Sequence, residues 1–292
     1  MNLKNPKKKI HFSFLQILVF LFLAFFFIVI TEVFLIVKPS NNRLWEFGFE
    51  KSPDITLEGS NISIENFRNF RYAPGKIVSS TYTKTDVDVN DLERAWFVVE
   101  PFEIKPLLPS TGIAHTYFVF DFKNHDPIAI SVEARREKNE EYSAWLGLFN
   151  KFELIYIWGE ELDITGRRAL VENQPLFMYP LTISQDASKK LFIQLAKATN
   201  DLYKNPRFYN TLMTNCTNEL ARNANTIKKD AIPFTIALIL PGYSAQELYR
   251  LGFIPTNAPF EKISQRYQIL EFTRKNYSDP NFSQKLRQHL LD

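Results

Sequence analysis

Arg207-Phe-Tyr-Asn-Thr-Leu-Met-Thr-Asn-Cys-Thr-Asn-Glu-Leu220 holds Cys216, the only cysteine among 292 residues. A polar, turn-prone lead-in meets a segment, Asn218 to Asn225, that reads as helix. This sets Cys216 at or near a helix N-terminus. The unpaired N–H groups and the dipole there favour a thiolate and lower a free-thiol pKa of about 8.5. Two readings stand at this point. A lone cysteine behaves as a small buried hydrophobe, or, with a histidine in reach, as a nucleophile. The polar neighbours Thr214, Asn215, Thr217 and Asn218 favour the second, because buried structural cysteines keep apolar company.

The totals bound the rest. At 292 residues there is material for one large or two small domains. Apolar content of 45% and charged content of 23% are those of a folded protein. A net charge of +3 carries no nucleic-acid signature. One cysteine excludes an internal disulfide framework and a cysteine-based zinc site. The four histidines, His11, His115, His125 and His289, form no HExxH-like pair, so neither a metal nor another cofactor is expected.

The N-terminal segment reads as a membrane anchor. Lys4, Lys7, Lys8 and Lys9 precede an apolar run from Phe12 to Val37, unbroken from Ile17 to Ile30. Phe12 to Ile30 is about 28 Å as a helix, near the ~30 Å hydrocarbon core. No small-x-small cleavage site follows, which predicts an uncleaved, single-pass signal anchor in the inner membrane. The lysines then stay cytoplasmic and the remainder lies outside. The expected boundaries are a basic segment over 1–11, a transmembrane helix over 12–37 and a linker over 38–59. A domain over 60–255 and a polar tail over 256–292 follow. In the linker, Trp45 and Phe47 belong either at the lipid headgroups or against the domain.

Within the domain, Ile62–Tyr72, Glu93–Glu100, Leu154–Trp158 and Phe177–Leu181 read as strands. Ile113–Phe122 and Ile128–Arg135 read as a hairpin closed by Lys-Asn-His-Asp-Pro. Period two puts His115, Tyr117, Val119 and Asp121 on one face, and Ala129, Ser131 and Glu133 on one face of the return strand. His115 and Glu133 are then candidate neighbours, with the carboxylate orienting the imidazole. A satisfied histidine at a strand start is the alternative. Glu140–Phe149 and Ser184–Lys204 read as helices, the latter with Leu191, Leu195, Ala198 and Leu202 on one face. Glu160, Glu161 and Asp163 read as a solvated loop ahead of a metal site. Arg167 and Arg168 face a phosphate or carboxylate, or pair with those acids. The short apolar segment Ile232–Leu240 is a buried strand or a lipid-touching surface.

The series NFRY (Asn69–Tyr72), AHTYFVFDF (Ala114–Phe122), SVEARRE (Ser131–Glu137), ELIYIWGEELD (Glu153–Asp163), FYNTLMTNCT (Phe208–Thr217) and PGYSAQELYRLGF (Pro241–Phe253) resembles the Lnb-type N-terminal periplasmic domain, over roughly Ser60 to Pro255. That family is similar to circularly permuted papain-like thiol enzymes of the NlpC type. The implied fold is α+β, a small antiparallel sheet with packed helices, here preceded by the transmembrane helix. Some members are implicated in N-acylating bacterial lipoproteins. The resemblance assigns Cys216 as nucleophile, His115 as base and Glu133 as orienting group. It leaves Asn215, Tyr209 and Arg135 as candidates for oxyanion or substrate contact. The function expected is acyl transfer through a Cys216 thioester, with a phospholipid acyl donor and a lipoprotein or other envelope acceptor. The alternatives are a thiol amidase or peptidase on cell-wall peptide and a non-catalytic envelope protein.

Overall fold

The computed structural model describes residues 13–32, 36–102 and 112–292. The N-terminal lysine cluster, His11 and most of the Pro101–Pro109 connection lie outside them. The chain divides into two units, Met1–Pro39 and Ser40–Asp292.

The first unit contains α1 (Phe14–Thr31). Among the described residues, no helix is long and apolar enough to cross a membrane. The expected transmembrane helix over 12–37 is corrected accordingly. α1 has 18 residues, about 27 Å at 1.5 Å per residue. Gln16 and Thr31 bound its unbroken apolar part to Ile17–Ile30, about 21 Å long, short of the ~30 Å core.

The second unit is built on eight strands: β1 (Asp54–Glu58), β2 (Asn61–Ala73), β3 (Lys76–Asp88), β4 (Leu92–Pro101), β5 (Ala114–Phe122), β6 (Ile128–Arg135), β7 (Glu153–Glu160) and β8 (Phe177–Pro180). Their order is β1-β2-β7-β6-β5-β4-β8, with β3 also paired to β2. β2 and β7 run parallel and the other pairs antiparallel. The sheet is therefore large and mixed, not the small antiparallel one expected. β3 accounts for much of the difference. Its sequence, KIVSSTYTKTDVD, is polar and mostly exposed, so it carries no apolar alternation to mark it as a strand. The parallel junction depends on Gly159, where a Cβ would lie 2.7 Å from the Arg68 carbonyl oxygen.

The central strand β5 is buried along its whole length. Its alternation divides the core into two layers. Phe120 and Phe122 meet Phe192 of α3 (Gln185–Lys204) edge to face, with centroids 5.2 and 5.3 Å apart. Trp158 of β7 packs on the same ring at 5.1 Å. On the other face, the Tyr117 hydroxyl lies 3.0 Å from Thr165 of α2 (Glu161–Arg167). Asp121 is chelated by Arg287, on the C-terminal helix.

α3 forms because Ser184 caps it, accepting the Ala187 N–H at 3.1 Å, and because its apolar stripe meets the sheet. α4 (Cys216–Ile227), α5 (Ile236–Ile239) and α6 (Ser244–Arg250) follow. The apolar segment 232–240 is thus a short helix and its lead-in, with Phe234 and Ile236 exposed. The segment read as a tail forms α7 (Phe260–Arg266), α8 (Leu270–Asn276) and α9 (Phe282–Leu291). These helices send Ile263, Phe282, Leu286 and Leu290 into the core.

Two local readings change. Glu140–Phe149 forms a single 3-10 turn, Leu146–Phe149, instead of a helix. Gly147 there sits so close to the 209–211 loop that a Cβ would be 2.5 Å from Thr211 Oγ1, so tertiary packing sets the backbone. Glu161 and Asp163 are buried in α2 and are not a solvated loop. Asp163 accepts from Arg68, Tyr72 and the Phe70 N–H, and Glu161 from Arg287 and Ser283.

Candidate active site

α4 begins at Cys216 because Asn215 ends the preceding loop. The Asn215 Oδ1 accepts the Asn218 N–H at 2.8 Å, and its carbonyl accepts the Glu219 N–H at 3.0 Å. The loop itself is fixed to β7 and to α4. Leu154 donates to the Arg207 carbonyl and Tyr209 to the Phe152 carbonyl, each at 2.9 Å. The Arg207 guanidinium grips buried Glu219 through two 3.0 Å bonds. The thiol is thereby held at a helix start, where N–H groups lack intrahelical partners.

His115 stands at the start of β5. β5 and β6 pair Tyr117 with Ser131, and two residues further the same register sets His115 opposite Glu133. The His115 Nε2 lies 2.7 Å from Ser131 Oγ and 3.2 Å from Glu133 Oε1. Ser131 has one hydroxyl proton, and it goes to Glu133 Oε1 at 2.7 Å. Ser131 Oγ must therefore accept from Nε2–H. That leaves Nδ1 as the ring nitrogen available to Cys216, which lines the same cavity and whose Sγ lies 3.9 Å from Thr217 Oγ1. Thr116 Oγ1 is in turn 2.9 Å from Thr217 Oγ1, which ties β5 to the first turn of α4.

The charges follow from this geometry. Burial alone would strip His115 of its proton. Glu133 overrides that and, together with Cys216, raises the imidazole to about 10. Burial would raise the Cys216 thiol. The facing imidazolium and the hydrogen bonds lower it instead. Each group thus favours the charged form of the other, thiolate and imidazolium. Glu133 is held well below the usual carboxylate range, against its burial, by Arg168 and then His115. Arg168 contacts Glu133 and Glu172, and its Nη1 lies 3.2 Å from Glu100 Oε2. Glu100 is the cross-strand partner of His115. Burial pushes its carboxyl well above the usual range despite Arg168, while Arg168 holds Glu172 down at about 2.

Cys216 and His115 line a cavity of about 940 Å³. Tyr142, Trp145, Leu148, Leu212, Leu240 and Pro241 make an apolar wall, and Glu100, Arg167, Arg168, Glu172 and Gln174 a charged one. Tyr209 is in the lining, with its hydroxyl 3.3 Å from that of Tyr142. Burial raises both phenols, and the nearby thiolate adds to this, so both stay protonated donors. Asn215 is also in the lining, but its amide donors are spent on the Thr211 and Leu238 carbonyls at 2.9 and 2.8 Å.

Of the six residues singled out in sequence, Arg135 alone stands away from the cavity. It donates to the Phe49 and Glu50 carbonyls and lies 4.0 Å over the Trp45 ring, clamping the 40–53 segment to β6. Trp45 is accordingly buried against the domain. Sequence reasoning missed the roles of Ser131, Glu100 and Tyr142. Ser131 was legible in principle, since alternation in SVEARRE places it on the Glu133 face.

No curated protein and no solved structure matches the chain. The family model for the Lnb N-terminal periplasmic domain matches residues 79–242, more than half of the chain, and the chain belongs to that family of extracytoplasmic domains.

Proposed function

We propose that this chain is a thiol enzyme of the cell envelope that transfers an acyl group through a thioester on Cys216. The observation that carries the reading is the buried Cys216–His115 pair opening on a cavity with an extended apolar wall. A thiol held as an ion pair is a nucleophile at neutral pH. An apolar wall beside it suits an acyl chain.

In this reading the Cys216 thiolate attacks the ester carbonyl of a phospholipid or related acyl donor, forming the C–S bond. The oxyanion meets the N–H groups that open α4. The Tyr142 and Tyr209 hydroxyls are neutral donors in the same lining. The tetrahedral adduct collapses, the C–O bond breaks, and the leaving alkoxide takes the proton of the His115 imidazolium. An amine of a lipoprotein or other envelope acceptor then attacks the thioester. His115 takes the amine proton, the C–S bond breaks, and thiolate and imidazolium are restored. Ser131 and Glu133 hold the ring throughout.

The test is intact-protein mass spectrometry of the purified chain, wild type against Cys216→Ser and His115→Ala. The expected result is a fatty-acyl mass on wild type, released by hydroxylamine and absent from Cys216→Ser. Absence of the adduct, with Cys216 also slow toward an alkylating agent at neutral pH, overturns the activated thiol. Absence of the adduct with fast alkylation favours the thiol amidase or peptidase instead. The charged wall at Glu100, Arg167 and Arg168 suits the polar substrate of that second reading.

A further inference from the structure

Three segments, distant in sequence, meet at the cavity. Thr211 donates to the Gly147 carbonyl at 3.2 Å and, through its hydroxyl, to the Ala144 carbonyl at 2.7 Å. Asn218 donates to the carbonyls of Leu212 and Leu238, each at 3.0 Å. The segments 144–147, 211–213 and 234–239 are therefore fastened side by side, and each contributes to the cavity lining.

Each also carries large apolar side chains into solvent. Trp145 is 67% exposed, Met213 70% and Phe234 69%, with Leu146, Leu212 and Ile236 exposed beside them. Folding does not require this, since none of the six completes the core. Scattered exposed apolar residues need no explanation, but six on three segments hydrogen-bonded side by side form a patch. Two of the six, Trp145 and Leu212, also line the cavity that holds Cys216. Lys228 and Lys229 stand exposed just ahead of Phe234 in the same loop.

We propose that this patch docks on the surface of a phospholipid bilayer, dipping its apolar side chains below the headgroups while the two lysines meet anionic phosphates. The proposal rests on the acyl-transfer reading and names the source of its donor, a lipid in the bilayer itself. An acyl chain then passes from membrane to thiolate along apolar surface without entering water. Interfacial binding of this kind scales with buried apolar area and with attraction to anionic lipid. An exposed tryptophan and two neighbouring lysines are the residue types that occupy that interface.

Trp145 is also the reporter. Trp45, Trp96 and Trp158 are buried. The full-length chain is mixed with phosphatidylethanolamine–phosphatidylglycerol vesicles carrying lipids brominated high on the acyl chain, and tryptophan emission is read. The expected result is a blue shift and quenching that Trp145→Phe abolishes. Met213→Asp/Phe234→Asp, both at exposed positions, should raise the lipid concentration needed for half-quenching by roughly tenfold, the change that 1.4 kcal/mol produces. Adsorption through any other part of the chain leaves Trp145 unquenched. Unquenched Trp145 on vesicle-bound wild type overturns the proposal. So does a blue shift that grows with protein concentration in the absence of lipid, accompanied by dimers in sedimentation, which makes a second copy the occupant. An acyl adduct on Cys216 with unquenched Trp145 removes the docking alone. Quenched Trp145 with no adduct leaves the docking standing and removes the transfer reading.

Discussion

Replacing Glu133 with Gln keeps the shape of the side chain and removes the charge that holds His115 protonated. The carboxylate oxygen is 3.2 Å from Nε2 and both side chains are largely buried, 10% and 14% exposed. At an effective dielectric near 20, Coulomb attraction over that distance is about 5 kcal/mol, and solvent and rearrangement reduce it to about 3 kcal/mol. The neutral thiol–imidazole pair and the thiolate–imidazolium pair bind the same number of protons, so the substitution shifts the balance between them. Three kcal/mol is a factor of roughly 100 toward the neutral pair. In wild type, Cys216 alkylation by iodoacetamide should therefore be fast and nearly flat with pH across neutrality. In Glu133→Gln it should slow by at least about tenfold at pH 7 and recover only in alkaline solution, where the thiol ionises without help. The assay is the alkylation rate against pH, with far-ultraviolet circular dichroism to show that the variant is folded. A Glu133→Gln profile that overlays wild type would refute the reasoning, because His115 would then owe its charge to something other than Glu133.

Arg168→Met leaves buried Glu133 without its guanidinium partner and should destabilise the fold by about 3–5 kcal/mol, read by thermal or urea unfolding. Glu100→Gln should cost less than about 1 kcal/mol in the same measurement, because burial already favours the neutral form of that carboxyl. Asn215→Ala removes an N-cap and two bonds to neighbouring loops. About 1–2 kcal/mol of stability should be lost, and Cys216 alkylation should slow as the helix start loosens. Gly159→Ala drives a Cβ to 2.7 Å from the Arg68 carbonyl, which is backbone and cannot turn aside. It should lower stability by about 1–3 kcal/mol, and amide exchange should report the loss first at the β2–β7 junction.

The parts of the fold legible in sequence are those where burial enforces a period. β5, β6 and α3 bury an apolar face, and their sequences show it. β1 and β3 bury little, so nothing in their composition distinguished them from loops, and the sheet came out larger than expected. The 140–149 segment has helical periodicity but is held open by the loop it packs on, a contact that sequence does not display. The site divides in the same way. Cys216 was legible from its helix start and polar company, and His115 and Glu133 from alternation on two adjacent strands. Arg168 was seen as a residue that pairs with acids, but those acids were sought in Glu160, Glu161 and Asp163. Asp163 pairs with Arg68 and Glu161 with Arg287, both far away in the chain. Arg135 shared a motif with Glu133, yet an odd-numbered neighbour on the same strand is not thereby a neighbour in the site.

The charges around the site balance when Glu100 holds its proton. Arg167, whose Nε lies 3.0 Å from Glu172 Oε1, Arg168 and the His115 imidazolium are positive. Glu133, Glu172 and the Cys216 thiolate are negative. If Glu100 were ionised as well, the cluster would hold an unmatched negative charge away from water, at a cost of several kcal/mol. Burial favours the protonated form of Glu100, and the charges of the other six then sum to zero. Moving a proton between Cys216 and His115 leaves that sum unchanged, so the balance turns on Glu100, while the facing imidazole and the hydrogen bonds favour the thiolate. Neutrality also constrains the chemistry. When an acyl group caps Cys216, the thiolate charge is lost, and the imidazolium has passed its proton to the leaving group. The two opposite charges vanish together, so the cluster stays neutral through the thioester stage. A carboxylate at position 100 would break that balance at both stages, whereas an amide would preserve it. For that reason Glu100→Gln should keep both the alkylation rate and its flat pH profile close to wild type. A variant that needs alkaline pH for alkylation would show that the proton on Glu100, and not the Glu133–His115 contact, sets the charge of the pair.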